Sequence, residues 1–286
     1  MIKTSYKNFL LENLINSDLK YYIFDWDDNI LVMPTIIHVE HLINDEWTSV
    51  DLTTSEFSNI RTQIALNSKG EQTDWRLRNQ NYTDTYCEFR DYGPRGDTAF
   101  PEDMIKSIKS NNFGPVWDKF IKCIVGGHVF MIITARGHEP LTLKFAINWL
   151  IYNYLNTKQK EEMELNLREF NILFGWDDTT WTFNDLVKHY LEMCDFVGIY
   201  SKYFTRKFNT EGQAASPEKY KAMAIRYFIE KIDNFGKQVN KKVKVGFSDD
   251  DTLTAKHIYK FMKNELFLDF PIDYSVFHTK NGIKKL

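Results

Sequence analysis

Asp25 and Asp27 stand one residue apart, where the apolar run Tyr21-Tyr22-Ile23-Phe24 gives way to Asp25-Trp26-Asp27-Asp28-Asn29. Two carboxylates this close repel each other, and at a buried strand end that repulsion is costly. A divalent cation relieves it, and hard oxygen ligands suit magnesium (Mg2+). A carboxylate set beside magnesium can attack phosphorus while the metal screens both anions. A second carboxylate can protonate the leaving oxygen and later deprotonate water. The same residues also suit an Asx-rich turn that caps the next segment. Asp249-Asp250-Asp251 repeats the arrangement after Val243-Lys244-Val245-Gly246-Phe247. One such triplet could be a solvated loop, but two acid clusters that each end an apolar strand can together make a magnesium site.

Three further residues fit phosphate chemistry. Thr134 ends the run Val129-Phe130-Met131-Ile132-Ile133, and its hydroxyl with the amides that follow could hold a phosphoryl oxygen. Lys219 and Lys221 fall in the first turn of a helix announced by Ser216-Pro217-Glu218, with Ser at the N-cap and Pro at the first position. A lysine there opposes the helix dipole. Balancing carboxylates and phosphate is a reason to place one there, and both lysines remain candidates.

The elements that must position these residues follow from hydrophobic periodicity. A short amphipathic helix is expected over residues 6–19. Buried strands are expected at residues 21–24, 129–133 and 243–247, with further strand-like runs at 170–174 and 196–200. Helices are expected over residues 101–124, 141–155, 216–232 and 253–263. Between the first two strands, residues 36–124 are polar and rich in Trp, Tyr and Arg, which predicts an insertion or cap. The alternation of strand and helix implies an α/β fold in which a mostly parallel sheet carries helices on both faces. Ligands in such sheets bind at the carboxyl ends of the strands, where Asp25, Thr134 and Asp249 all lie.

Composition bounds the partners. The 286 residues carry 36 Lys+Arg against 39 Asp+Glu, a formal net charge of -3, so there is no global attraction to nucleic acid or to an anionic membrane. Cys87, Cys123 and Cys194 form neither a disulfide framework nor a CxxC pattern. With no apolar run long enough for a signal peptide or a span, a cytoplasmic location is expected. Gly175-Trp176-Asp177-Asp178-Thr179 lacks the Asp-x-Asp spacing and is expected to be a turn or helix cap. Arg95-Gly96-Asp97 is a chance tripeptide, and His128 and His138 are expected to serve packing or surface roles.

Four segments, in order, resemble the haloacid dehalogenase (HAD) superfamily of phosphatases. Phe24-Asp25-Trp26-Asp27-Asp28-Asn29-Ile30-Leu31 resembles its first motif, Ile132-Ile133-Thr134-Ala135-Arg136 its second, Pro217-Glu218-Lys219-Tyr220-Lys221 its third, and Val245-Gly246-Phe247-Ser248-Asp249-Asp250 its fourth. The resemblance covers residues 20–35 and 125–265. It implies a three-layer Rossmann-like core from residues 1–35 and 125–286, and a cap at 36–124 inserted after the first strand. It further implies Asp25 as nucleophile, Asp27 as general acid/base, Thr134 on the phosphoryl group, and Lys221 or Lys219 stabilising charge. Asp249 and Asp250 would hold magnesium with Asp25 and the backbone carbonyl of Asp27. Asn29 stands where the family usually has Thr, and the third motif offers two lysines. Capped members act on small phosphorylated metabolites or nucleotides. The second and fourth motifs also resemble phosphatase domains that act on polynucleotide 3′-ends, and the aromatic and arginine residues at 75–95 could stack bases and pair phosphates. A HAD-fold binding module without activity is the alternative of another class.

Overall fold

A computed structural model describes residues 17–211 and 215–286. The helix expected over residues 6–19 falls almost wholly outside the described residues, and Leu19 opens a strand instead.

The central sheet has six strands, β1 (Leu19–Asp25), β5 (Phe130–Thr134), β6 (Asp195–Gly198), β7 (Val243–Asp249), β8 (Asp273–His278) and β9 (Lys284–Lys285). Their order is β6-β5-β1-β7-β8-β9, parallel throughout except for β9, which runs antiparallel to β8. Every residue of β5 is buried, the pattern of a parallel strand covered on both faces. The chain leaves β1 to build β5 and β6 on one side, then crosses back to build β7 and β8 on the other. The direction of winding therefore reverses at β1, which makes its carboxyl end the switch point of a Rossmann-like α/β sheet.

Helices α4 (Pro140–Asn153), α5 (Thr157–Leu173), α6 (Phe183–Met193), α7 (Lys202–Phe208), α8 (Pro217–Gln238) and α9 (Thr252–Phe261) connect the later strands. The strand expected at 170–174 is the end of α5. Asn156 caps that helix reciprocally with Gln159, and Met163, Leu167 and Asn171 recur at helical spacing on its buried face. The short apolar run is the last turn of a stripe with period 3.6, not a strand of its own. Among the described residues, no helix is long and apolar enough to cross a membrane.

The segment between β1 and β5 divides in two. Residues 37–89 form an antiparallel sheet in the order β3 (Glu46–Leu52), β2 (Ile37–Ile43), β4 (Trp75–Leu77). Helix α1 (Thr54–Asn67) packs against it over a small apolar cluster that includes Val39, Phe57, Ile64 and Leu77. The helices α2 (Ala99–Lys109) and α3 (Trp117–Val125) place Phe100, Met104 and Phe120 in the main core instead. The part with its own apolar interior is thus shorter than residues 36–124.

Candidate active site

β1 delivers Asp25 because the residue after it cannot move. Trp26 is fully buried, its ring 5.0 Å from Phe100 and 6.1 Å from Phe120. With Trp26 pinned in the core, its two neighbours are held at the sheet edge. The chain then turns tightly, with the Ile30 amide donating to the Trp26 carbonyl at 3.0 Å and Asp28 at a positive φ of 56°. Asn29 fastens this turn to the neighbouring strand. Its Nδ2 donates to the carbonyls of Asp25 (3.0 Å) and Ser248 (3.2 Å), and its Oδ1 accepts from the Thr279 hydroxyl at 2.8 Å. The Asn29 amide thus ties the turn after β1 to the end of β7 and to the loop after β8, donating through one end and accepting through the other.

Of the two candidate lysines, Lys221 is the one that reaches the acids. Its Nζ lies 2.6 Å from Asp25 Oδ1 and 2.8 Å from Asp249 Oδ2, whereas Lys219 is exposed. Burial works against the Lys221 charge, but Asp249 and Asp25 prevail and hold its ammonium well above the usual lysine range. Asp25, Asp249 and Asp250 converge until one oxygen of each lies within 4.8 Å of the others. Burial raises the proton affinity of all three. Mutual repulsion adds to it for Asp25 and for Asp250, whose carboxyl is pushed up to about 7. One ammonium cannot neutralise three carboxylates, so the ionised cluster keeps surplus negative charge. That donor set fits a hard divalent cation. Asp251 plays another part. It caps α9 through the Thr254 amide and pairs with Arg61 of α1 at 3.2 Å.

The side chain of Asp27 stands outside this trio. Its carboxylate is gripped by Arg136, with Nη2 to Oδ1 at 2.6 Å and Nε to Oδ2 at 2.9 Å, and it accepts from the Thr134 hydroxyl at 3.1 Å. Thr134 thus lies at the end of β5 beside the acids, and its hydroxyl is turned to Asp27. Arg136 is 1% exposed. It also donates to Thr35, which donates on to Asp103 at 2.6 Å, and its guanidinium lies 4.3 Å from the Phe89 ring centroid. Arg136 belongs to the second motif, but the motif assigns it no role. The available signal was strand period, since residues two apart share a side and Arg136 follows Thr134 by two.

Behind Arg136, fully buried His138 bonds Asp91 through Nδ1 at 2.7 Å, and Asp91 also accepts from the Glu139 amide and the Thr142 hydroxyl. His138 therefore packs as expected, but as a link between the inserted segment and the loop after β5. Half-buried His128 lies against Tyr22. Gly175–Thr179 is the expected turn, in which Asp177 accepts from both the amide and the hydroxyl of Thr179. Arg95 is structural, bound to Asp103, Glu102 and Glu88. No family model, curated protein or solved structure matches this chain.

Proposed function

We propose that this chain is a magnesium-dependent phosphomonoester hydrolase of the HAD type, with residues 37–89 as its cap, and that it works through an aspartyl-phosphate on Asp25. One observation carries the reading. Lys221 bridges Asp25 and Asp249 beside Asp250, at the adjoining carboxyl ends of β1 and β7. A buried acid cluster that one ammonium leaves under-neutralised is expensive as structure and useful as chemistry. Magnesium held by Asp25, Asp249 and Asp250 would supply the missing positive charge and screen the phosphoryl oxygens from the attacking carboxylate.

Lys221 occupies Oδ1 of Asp25, which leaves Oδ2 to attack phosphorus. Asp27 must enter this step protonated; as the bond from phosphorus to the leaving oxygen breaks, it gives that oxygen its proton and is left as the carboxylate that Arg136 grips. Water then attacks the same phosphorus, Asp27 takes its proton, and the Asp25 carboxylate is released with inorganic phosphate. Arg136 and Thr134 hold the Asp27 carboxylate in place for this exchange, and Arg136 is a positioning residue. The Lys221 ammonium offsets charge that builds on the phosphoryl oxygens. The substrate is a small phosphorylated metabolite or nucleotide.

The test is phosphate release from a panel of phosphomonoesters with and without magnesium. Wild-type turnover that needs magnesium and falls about a thousandfold or more in Asp25→Asn is expected, as for loss of a nucleophile. Magnesium near a hundred times its dissociation constant should also raise the melting temperature by roughly 5 °C, and Asp250→Asn should erase that rise. A folded wild type that releases no phosphate from any ester sinks the proposal.

A further inference from the structure

A chain of contacts leads away from the carboxylates, and its chemistry speaks to what leaves with the alcohol oxygen. Beside Asp249 and Asp250, Asp251 pairs with Arg61 at 3.2 Å. Arg61 belongs to the same helix as Phe57, whose ring meets Tyr86 edge-on at 5.8 Å. Tyr86 stacks with Tyr82 at 6.2 Å and 13° between planes. Tyr82 and Tyr200 are linked through Arg90, whose Nη2 donates to the Tyr82 carbonyl at 3.3 Å and whose Cβ, with the Tyr200 carbonyl oxygen, lies against Gly137. The Tyr200 ring meets Tyr220 edge-on at 5.9 Å, and the next residue is Lys221. The Tyr200 amide donates to the carbonyl of Arg136 at 3.1 Å, the residue that grips Asp27. The contacts begin and end at the reacting groups.

Two features of these contacts point outward. Tyr82 is 61% exposed and Tyr200 49% exposed, so both residues leave surface bare. Arg90 locks the platform from below, its Nε donating to the carbonyl of Tyr86 and its Nη2 to that of Tyr82. The half-buried Arg90 has no carboxylate partner among the described residues. A polyol would leave the tyrosine faces unused, whereas a flat heteroaromatic ring stacks on them, and a second phosphate answers the uncompensated Arg90.

We propose that the phosphomonoester is a nucleotide, its phosphate at Asp25 and its base stacked on the bare faces of Tyr82 and Tyr200. This rests on the phosphatase reading above. A free mononucleotide and the phosphorylated end of a strand share that chemistry and differ in the extra phosphates offered to Arg90.

The test compares kcat/KM on glycerol phosphate, nucleoside 3′- and 5′-monophosphates and a 3′-phosphorylated single strand, for wild type, Tyr82→Ala and Tyr82→Phe. Tyr82→Ala should lose about tenfold on nucleotides, the scale of one base stacked on an aromatic ring. It should lose nothing on glycerol phosphate, and Tyr82→Phe should resemble wild type. Equal loss on both substrates, or no loss on nucleotides, overturns the base platform, while magnesium-dependent turnover of glycerol phosphate that Asp25→Asn abolishes leaves the phosphatase reading standing. If no ester is turned over, that reading fails alone, and the platform is judged by nucleoside monophosphate binding followed by intrinsic fluorescence. Weaker binding to Tyr82→Ala supports the platform, and equal binding overturns it. A preference for the strand that Arg90→Met removes assigns Arg90 to a phosphodiester, and equal rates on strand and monomer assign the site to free nucleotides.

Discussion

Charge is handled in opposite ways at the strand ends and in the inserted segment. At the strand ends, Lys221 and Asp249 have side chains 5% and 1% exposed, and the acids outnumber the cation. In residues 37–98 several ion pairs are more open. Asp51, whose side chain is 65% exposed, bonds His38, and Arg61, 41% exposed, meets Asp251. Exposed pairs of this sort contribute about 0–1 kcal/mol, and these fasten a small apolar cluster at little risk. Buried groups that are incompletely paired cost stability and are kept for what they do. The difference teaches where substitutions should hurt and which of them should hurt chemistry rather than folding.

Lys221→Met gives the sharpest contrast. It strands Asp25 and Asp249 without their shared cation, so unfolding by denaturant should show a loss of roughly 3–5 kcal/mol, partly restored by magnesium. Lys219→Met, one half-turn away and exposed, should stay within about 0.5 kcal/mol of wild type. Equal losses from the two would break the distinction between the regions. Arg95→Met comes next. Its partner Asp103 is 2% exposed while Arg95 is 31% exposed, so solvent softens the penalty to about 2 kcal/mol. Because Arg95 lies outside the carboxylate cluster, phosphate release at saturating substrate should be unchanged at temperatures where the variant is folded. A large fall in kcat would tie this part of the inserted segment to the chemistry.

The strand ends were legible because short, largely apolar runs lead to Asp25, Thr134 and Asp249, and a parallel sheet sends all three to one edge. The choice between Lys219 and Lys221 was also open to helix period. Lys221, Ile225, Phe228 and Ile232 share the buried face of α8, and Lys219 does not fall on it. The grip of Arg136 on Asp27 was hidden because it joins residues 109 positions apart, and only the pairing of β1 with β5 brings them together. The hairpin of β2 and β3 escaped notice for a local reason. Its turn is Asn44-Asp45, both at positive φ of 52° and 63°. Asn-Gly or Asp-Gly is the pattern that announces such a turn. Phe170 to Phe174 misled because a five-residue apolar run does not reveal its own period.

The smallest effect concerns the seam between the two regions. Burial lowers the proton affinity of His138, and Arg136 acts in the same direction, while Asp91 and Asp27 oppose them. The folded pKa lies below the unfolded value of about 6.5. Between those two values the unfolded chain binds more protons, so stability falls as pH drops from 7 into that window. Asp91 is held below the usual carboxylate range, because bonds from His138, Glu139 and Thr142 overcome its burial, and its own contribution is lost only at lower pH. Asp250, pushed up to about 7, acts with the opposite sign, since the folded state takes up its proton first. Half-buried His128 and His189, whose proton affinity is likewise lowered by desolvation, act with His138. The wild-type curve therefore mixes signs, and the difference between wild type and His138→Gln isolates the seam. Melting temperatures measured from pH 7.5 to 5 should show the variant losing less on acidification than wild type. Parallel curves would mean that His138 takes up its proton in the folded state as readily as in the unfolded chain, and that the seam is not a closed, neutral contact.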